Sequence, residues 1–370
     1  MAAVFLRLGL TAFGGPAAHV AMMEDEAVVR RRWLTRERFL DLLAIANVLP
    51  GPSSSELAIY LGYVRAGWPG LLVGGACFIV PAVLLVAAIA WTYTRFGALP
   101  QIAGVLYGIR PVVVVIILQA AWRLGRTAIR DATCAVVAVA AAALSLAGLT
   151  PLAVLALSGL GVAIARRTRE GDKRGAAALL PLSPAIAAGT AASPVTLTSV
   201  FLVFVKMGAL VFGSGYVLLA FLRADLVERL GWLTEHQLLD AVAVGQVTPG
   251  PVFTTATFIG YLLAGWTGAA VATVGIFLPA FLLVAVSGPF VSRLRASRLV
   301  ASILDGIAVG CLALMAVVTW QLGRAAVVDV ATAALALGSG VALLRFQLNS
   351  TWLIAGGAGI GMLLGVGRTP

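Results

Sequence analysis

Charge is scarce in this chain. Only 11% of its 370 residues are Asp, Glu, Lys or Arg, while 61% are hydrophobic. Soluble domains carry about 25% charged and 45–50% apolar residues, so the shortage excludes a soluble protein and points to an integral membrane protein. Histidine is rarer still, with His19 and His236 alone. Two imidazoles are too few for a metal centre, and no metal or other cofactor is expected. The three cysteines, Cys77, Cys134 and Cys311, lie apart inside apolar runs and give neither a disulfide framework nor a zinc spacing. Ten-residue alternating strands, the mark of a membrane barrel, are absent. So is a Gly-rich nucleotide loop with its Lys-Ser/Thr, and no cleavable signal peptide is expected. Without a nucleophile–base pair or a metal cluster, no enzyme is expected. The net charge of +11 belongs in loops on one side of a membrane, not on nucleic acid.

What is present is a long apolar chain interrupted by proline and glycine. Its organising stretch is Leu49-Pro50-Gly51-Pro52-Ser53-Ser54-Ser55-Glu56. A Pro-Gly-Pro cannot continue a helix, because each proline lacks an N–H and clashes with the preceding turn while the glycine lets the chain reverse. The apolar arms on either side fall short of the about 20 residues a bilayer crossing needs. Residues 38–64 therefore read as a re-entrant hairpin of two half-helices. The second begins at Ser53, with hydroxyls where N-caps belong. Its first N–H groups have no partner within the helix and carry partial positive charge, an arrangement that takes an anion. The device recurs at Val247-Thr248-Pro249-Gly250-Pro251, followed by Thr254, Thr255 and Thr257.

That recurrence belongs to an internal repeat. Phe13-Gly14-Gly15 matches Phe212-Gly213-Ser214, Trp33-Leu34-Thr35 matches Trp232-Leu233-Thr234, and Pro50-Gly51-Pro52 matches Pro249-Gly250-Pro251. After a one-residue slip, Ala66-Gly67-Trp68 matches Ala264-Gly265-Trp266, and Leu124-Gly125-Arg126 matches Leu322-Gly323-Arg324. Residues 1–165 and 200–370 are read as two copies of one unit, joined by a linker at 166–199 that is basic and then Pro/Ala/Ser-rich. Copy one has expected spans near 1–23, 69–94, 102–122, 133–148 and 150–165. Copy two has them near 200–222, 268–291, 300–320, 327–344 and 350–366, with its hairpin at 236–262. The basic loops of copy one, around Arg30–Arg38, Arg123–Arg130 and the linker, fall on one face, which the positive-inside rule makes cytoplasmic. In copy two the basic loop is Arg293–Arg298 instead. An odd span count and reversed charge make the copies inverted. The expected fold is an all-α polytopic membrane protein of two inverted repeats, each with five spans and a re-entrant hairpin.

Inverted repeats with broken helices are the architecture of secondary transporters, which hold substrate near the midplane. Within each copy two breaks are expected to meet: Phe13-Gly14-Gly15-Pro16 with Pro50-Gly51-Pro52, and Phe212-Gly213-Ser214-Gly215 with Pro249-Gly250-Pro251. Gly14, Gly15, Gly51, Gly213 and Gly250 open the backbone there. Ser53, Ser54, Ser55, Ser214, Thr254 and Thr255 add hydroxyl donors, chemistry suited to a small oxyanion. The plain alternative is that Gly and Pro only kink and pack membrane helices, which four breaks at matched positions weaken.

Arg7 and Lys206 lie at matched depth in the first span of each copy. An intramembrane cation is a functional candidate, and snorkelling to an interface is the alternative. His19 and Glu56 have no titratable counterparts, since Leu218 and Thr255 stand opposite them. They are candidates for proton coupling or substrate contact, with a satisfied interfacial histidine as the other reading of His19. A carboxylate beside helix starts repels an anion unless protonated. Asn47 and Gln246, three residues before the two breaks, can hydrogen-bond substrate or a freed carbonyl. Asp41 and Asp240 read as surface or capping contacts, and Trp33 and Trp232 as interfacial anchors. Arg110 and Asp305, each in an apolar run, leave open a cross-repeat ion pair or a gate.

Four strings together resemble the chromate ion transporter family, in its long two-domain form. They are Phe13-Gly14-Gly15-Pro16-Ala17-Ala18-His19, Leu49-Pro50-Gly51-Pro52-Ser53-Ser54-Ser55, Phe212-Gly213-Ser214-Gly215-Tyr216, and Gly245-Gln246-Val247-Thr248-Pro249-Gly250-Pro251 with Ala256-Thr257-Phe258-Ile259-Gly260-Tyr261. The resemblance covers nearly the whole chain. It implies efflux of chromate from the cytoplasm and chromate resistance, in a multi-pass protein of a bacterial inner membrane. It departs at Asn47 and Glu56, where the family tends to carry glutamine. Sulfate or another tetrahedral oxyanion is the alternative substrate, and a passive channel the alternative mechanism. The expected partners are the anion and the bilayer, with a homodimer left open.

Overall fold

Proline, glycine and side-chain caps set where the helices begin and end. The computed structural model describes residues 1–13, 15–47, 49–96, 100–169, 194–211, 215, 217–287, 298–346, 348 and 350–365. In the first half, α1 (Ala2–Thr11) is followed by α2 (Pro16–Glu24), whose Pro16 occupies the first helical position, where a missing N–H costs nothing. A π-helical turn, π1 (Asp25–Arg30), extends α2. Thr35 caps α3 (Arg36–Ala46) by accepting the Arg38 N–H. Then come α4 (Ser53–Phe96), α5 (Pro100–Ala128), α6 (Ala132–Leu146) and α7 (Pro151–Arg169).

The second half repeats this order. It comprises α8 (Leu197–Leu210), α9 (Leu218–Leu222), π2 (Arg223–Arg229) and α10 (Glu235–Val247), the last capped by Thr234 on the Gln237 N–H. A 3-10 turn (Val252–Thr254), α11 (Thr255–Ser287), α12 (Arg298–Ala326), α13 (Val330–Arg345) and α14 (Ser350–Gly365) follow. The basic start of the expected linker, Arg166–Arg169, continues α7; residues 170–193 lie outside the described residues.

Neither α4 nor α11 is one rod. Ala66 (φ −149°, ψ 24°) and Gly67 (φ 61°, ψ −145°) break α4, and Ala264 (φ −150°, ψ 31°) and Gly265 (φ 60°, ψ −148°) break α11. Positive φ at the second residue is a glycine conformation. The chain folds back at each break, so Gly62 packs on Gly70 and Gly260 on Gly268. A Cβ on Gly62 would stand 2.1 Å from the Gly70 carbonyl oxygen, and one on Gly260 2.3 Å from that of Gly268. The half-helices read from the sequence are thus the arms preceding these reversals.

The regular elements among the described residues are all helical. Five stretches are long and apolar enough to cross a membrane, including α4 and α11, and five shorter helices are apolar. Apolar burial gives little drive between helices in lipid, so association rests on close packing and buried polar bonds. The halves interlock: α5 packs on α13 and α14, α12 packs on α6 and α7, and α4 packs on α11. Phe5, Phe78, Phe204 and Phe258 are wholly buried in the shared core.

Polar clamps tie the halves together. Tyr107 of α5 donates to both oxygens of Asp329, the cap of α13, at 2.7 and 2.6 Å. Asp305 of α12 accepts from Arg166 at 2.7 Å and from Arg130 at 3.0 Å, and Arg166 also reaches Asp131, the cap of α6, at 3.4 Å. The Cys134 N–H, with Arg166 alongside, holds the Asp131 carboxyl below its usual range. Arg110 and Asp305 therefore do not pair, and each has a different partner.

Candidate functional site

A Pro-Gly-Pro has one N–H, that of its glycine, and both glycines spend it on the other half. Gly51 N–H donates to the Val211 carbonyl at 2.7 Å, and Gly250 N–H donates to the Ala12 carbonyl at 3.0 Å. Ala12 and Val211 end α1 and α8, where carbonyls lack N–H donors within the helix. All four residues are buried. The hydrogen-bonded pairing of breaks thus runs between the copies, not within each copy as the sequence reading had it. The physical reason is that each break carries one orphan group, and the complementary orphan lies on the opposite half. Gly51 (φ 141°) and Gly250 (φ 91°) hold conformations that other residues resist. Gly15 (φ 79°) does the same before α2. Gly14, Gly213 and Ser214 lie outside the described residues.

The half-helix after Gly51 is polar and buried. Ser53, Ser54, Ser55 and Glu56 are all shielded from solvent, Ser55 and Glu56 completely. Ser55 Oγ and both Glu56 carboxyl oxygens have no hydrogen-bond partner among the described residues. Glu56 Oε1 lies 2.5 Å from where a Gly51 Cβ would stand, so the carboxyl sits against the break itself. After Gly250 the hydroxyls are in use. Thr254 donates to the Pro251 carbonyl at 2.8 Å and Thr255 to the Val252 carbonyl at 2.7 Å.

His19 is buried, with Nε2 3.0 Å from the Ala12 carbonyl that also takes the Gly250 N–H. An acceptor carbonyl makes Nε2 the protonated nitrogen. Nδ1 has no partner among the described residues, and the ring meets Phe78 edge-on at 5.6 Å. His19 therefore braces a break from inside. Gln246 is buried beside the second break, whereas Asn47 ends α3 and is exposed.

Arg7 and Lys206 stand in matched ion pairs. Arg7 bonds Glu26 at 2.5 Å, and Glu26 also takes Arg31 at 3.0 Å. Lys206 bonds Asp225 at 2.6 Å, and Asp225 also takes Arg229 at 2.9 Å. Both carboxylates come from the π-helical turns, nineteen residues after their cations. Arg30 also reaches Glu26 at 3.6 Å and bonds Asp25 at 2.6 Å, so three cations meet two carboxylates in the first cluster and two cations meet one in the second, each with one positive charge in excess. Lys206 also lines a cavity of about 660 Å³ with Arg223, Asp225, Arg229, Thr150 and Gln321.

Sequence reasoning placed Asp240 at a surface or a cap, and the structure overturns this. Asp240 is fully buried and takes a two-pronged bond from Arg110, Nε to Oδ1 at 2.8 Å and an Nη to Oδ2 at 2.9 Å. Tyr93 donates to the same carboxylate at 2.9 Å. Its counterpart Asp41 is exposed. Arg110 was the available signal, since an arginine in an apolar run requires an acid nearby; the sequence did not show which acid.

Apolar helices interrupted at buried turns that bond across two similar halves define a multi-pass membrane protein of the transporter class. The chain belongs to the chromate transporter family, whose sequence profile matches residues 1–163 and 198–362. It is 34% identical to the chromate transport protein of Cupriavidus metallidurans, over 97% of this chain and 91% of that one. It is also 34% identical to the probable chromate transport protein of Synechococcus elongatus, over 89% and 85%. An uncharacterized transporter of Bacillus subtilis is 35% identical over only 34% of this chain, but 71% of its own length. No solved structure matches significantly. The resemblance carried by the Phe13-Gly14-Gly15-Pro16 and Pro-Gly-Pro strings is confirmed.

Proposed function

We propose that the protein is a secondary transporter that exports chromate from the cytoplasm across a bacterial inner membrane and so confers chromate resistance. One observation carries the reading: each Pro-Gly-Pro bonds the end of the other half's first helix, Gly51 to Val211 and Gly250 to Ala12. A solute held there contacts both halves, and relative movement of the halves changes its access. The halves are taken as inverted repeats, 1–165 and 200–370. The Bacillus subtilis relative that matches one third of this chain supports a unit of that size.

The binding set is the start of the half-helix at Ser53, Ser54 and Ser55 with Gly51, and its counterpart at Gly250, Thr254 and Thr255. Gly14, Gly15, Gly213, Ser214, His19, Asn47 and Gln246 complete it. Ser53 and Ser54 offer helix-start N–H groups with no acceptor among the described residues. These groups replace water around an anion. The Arg7 and Lys206 clusters add attraction through their excess positive charge. Outward movement of a dianion from a negative interior gains roughly 4.6 kcal/mol per 100 mV. The relatives named as chromate transport proteins support chromate as the solute.

Chromate flux in vesicles of defined orientation tests this. Ser54→Ala, Arg7→Ala and Lys206→Ala are expected to slow flux several-fold each, and excess sulfate to compete weakly. Unchanged flux in all three variants contradicts the site, and sulfate outcompeting chromate contradicts the substrate.

A further inference from the structure

Glu56 stands in the first turn of the half-helix that follows Gly51, with no solvent contact and no partner for either carboxyl oxygen among the described residues. Among the described residues the surrounding elements supply no counter-charge. Arg7 of α1 is engaged with Glu26, and His19 of α2 is on the Ala12 carbonyl. Arg36, Glu37, Arg38 and Asp41 of α3 are exposed. On α10, Asp240 is taken by Arg110 and Tyr93, Glu235 is paired with Arg223, and His236 is exposed. The only titratable group of α11 is Tyr261, and the 3-10 turn has none. Along its own helix, Tyr60 is one turn on and has its hydroxyl on Ser287. A bare carboxylate is costly to bury without a counter-charge or hydrogen bonds. The arrangement therefore accommodates the neutral acid, and a negative charge at this point would repel an anion from the helix start beside it.

We propose that Glu56 is a proton-binding site linked to the transported anion, so that a proton and the anion load together and leave together. This rests on the reading of the breaks as an anion pathway. The proton comes from water on the loading side, resides on a Glu56 carboxyl oxygen, and returns to water on the far side. No covalent bond other than that O–H forms or breaks. By linkage, a proton that favours the anion is favoured by it to the same degree. The cycle then moves one net negative charge per dianion rather than two.

The test is anion flux against loading-side pH at fixed membrane potential, in vesicles holding the full chain. Wild-type flux is expected to rise as pH falls, by at most about tenfold per pH unit for a single proton. Glu56→Gln keeps the shape but cannot ionise, and its profile is expected to be shallower than wild type, retaining only the dependence that the solute's own protonation imposes. Chromate takes up a proton itself near neutrality, so the variant serves as the reference curve. A Glu56→Gln profile with the wild-type slope overturns the proposal, as does flux that follows sodium at constant pH. Infrared difference spectra of the purified protein separate this outcome from failure of the transport reading. A protonated-carboxyl band present in wild type at neutral pH and absent from Glu56→Gln is expected whether or not chromate is the solute. Lack of that band in wild type also overturns the proposal.

Discussion

The two Pro-Gly-Pro breaks share a backbone and differ in chemistry. Their glycines make the same cross-half bond, and the reversals that follow agree within 7° in ψ, 24° at Ala66 against 31° at Ala264. Yet the first break opens onto a serine hydroxyl and a carboxyl that have no partner among the described residues, while the second has spent its threonine hydroxyls on its own carbonyls. The acids upstream diverge as well: Asp41 faces outward and Asp240 is locked beneath Arg110 and Tyr93. Similar backbone thus carries different side-chain chemistry at the two breaks. Among the described residues the first break has polar groups to spare, and the second has engaged its own.

The largest expected contrast lies in those acids. Asp240→Ala leaves a mostly buried arginine unpaired and is expected to cost about 3–5 kcal/mol. Asp41→Ala, at the matched exposed position, is expected to stay within about 0.5 kcal/mol. Unfolding of both variants in detergent checks the pair, and equal losses would break the asymmetry.

A smaller contrast compares the hydroxyls. Thr255→Ala removes a buried bond to the Val252 carbonyl and is expected to cost about 1 kcal/mol. Ser55→Ala removes a hydroxyl with no partner among the described residues, so its stability is expected to hold within about 0.5 kcal/mol while anion flux falls. The reverse pattern, with Ser55 stabilising and Thr255 silent, would assign the open site to the second break.

Much of the scaffold was legible beforehand, for a local reason. Pro50-Gly51-Pro52 and Ala66-Gly67-Trp68 dictate backbone shape within a few residues, and their recurrence at 249–251 and 264–266 marks the duplication. The crossing of breaks was not legible, because Gly51 meets Val211 only after the halves interlock. Asp41 and Asp240 sit in similar apolar strings, Phe-Leu-Asp-Leu-Leu and Leu-Leu-Asp-Ala-Val, and only packing against α5 tells them apart. Arg7 and Lys206 looked like unpaired intramembrane cations because their acids lie nineteen residues on, beyond any helical spacing. Glu56 was conspicuous as a lone acid without a counterpart; that its carboxyl has no partner among the described residues became visible only in three dimensions.

Side-specific labelling of matched positions tests the opposed arrangement of the halves most directly. Glu37 and His236 are exposed and equivalent in the two copies. Glu37→Cys and His236→Cys, each in a chain with its three native cysteines replaced, are treated with a membrane-impermeant thiol reagent. His236→Cys is expected to react in intact cells and Glu37→Cys only after permeabilisation. Reaction of both from the same side would contradict the account.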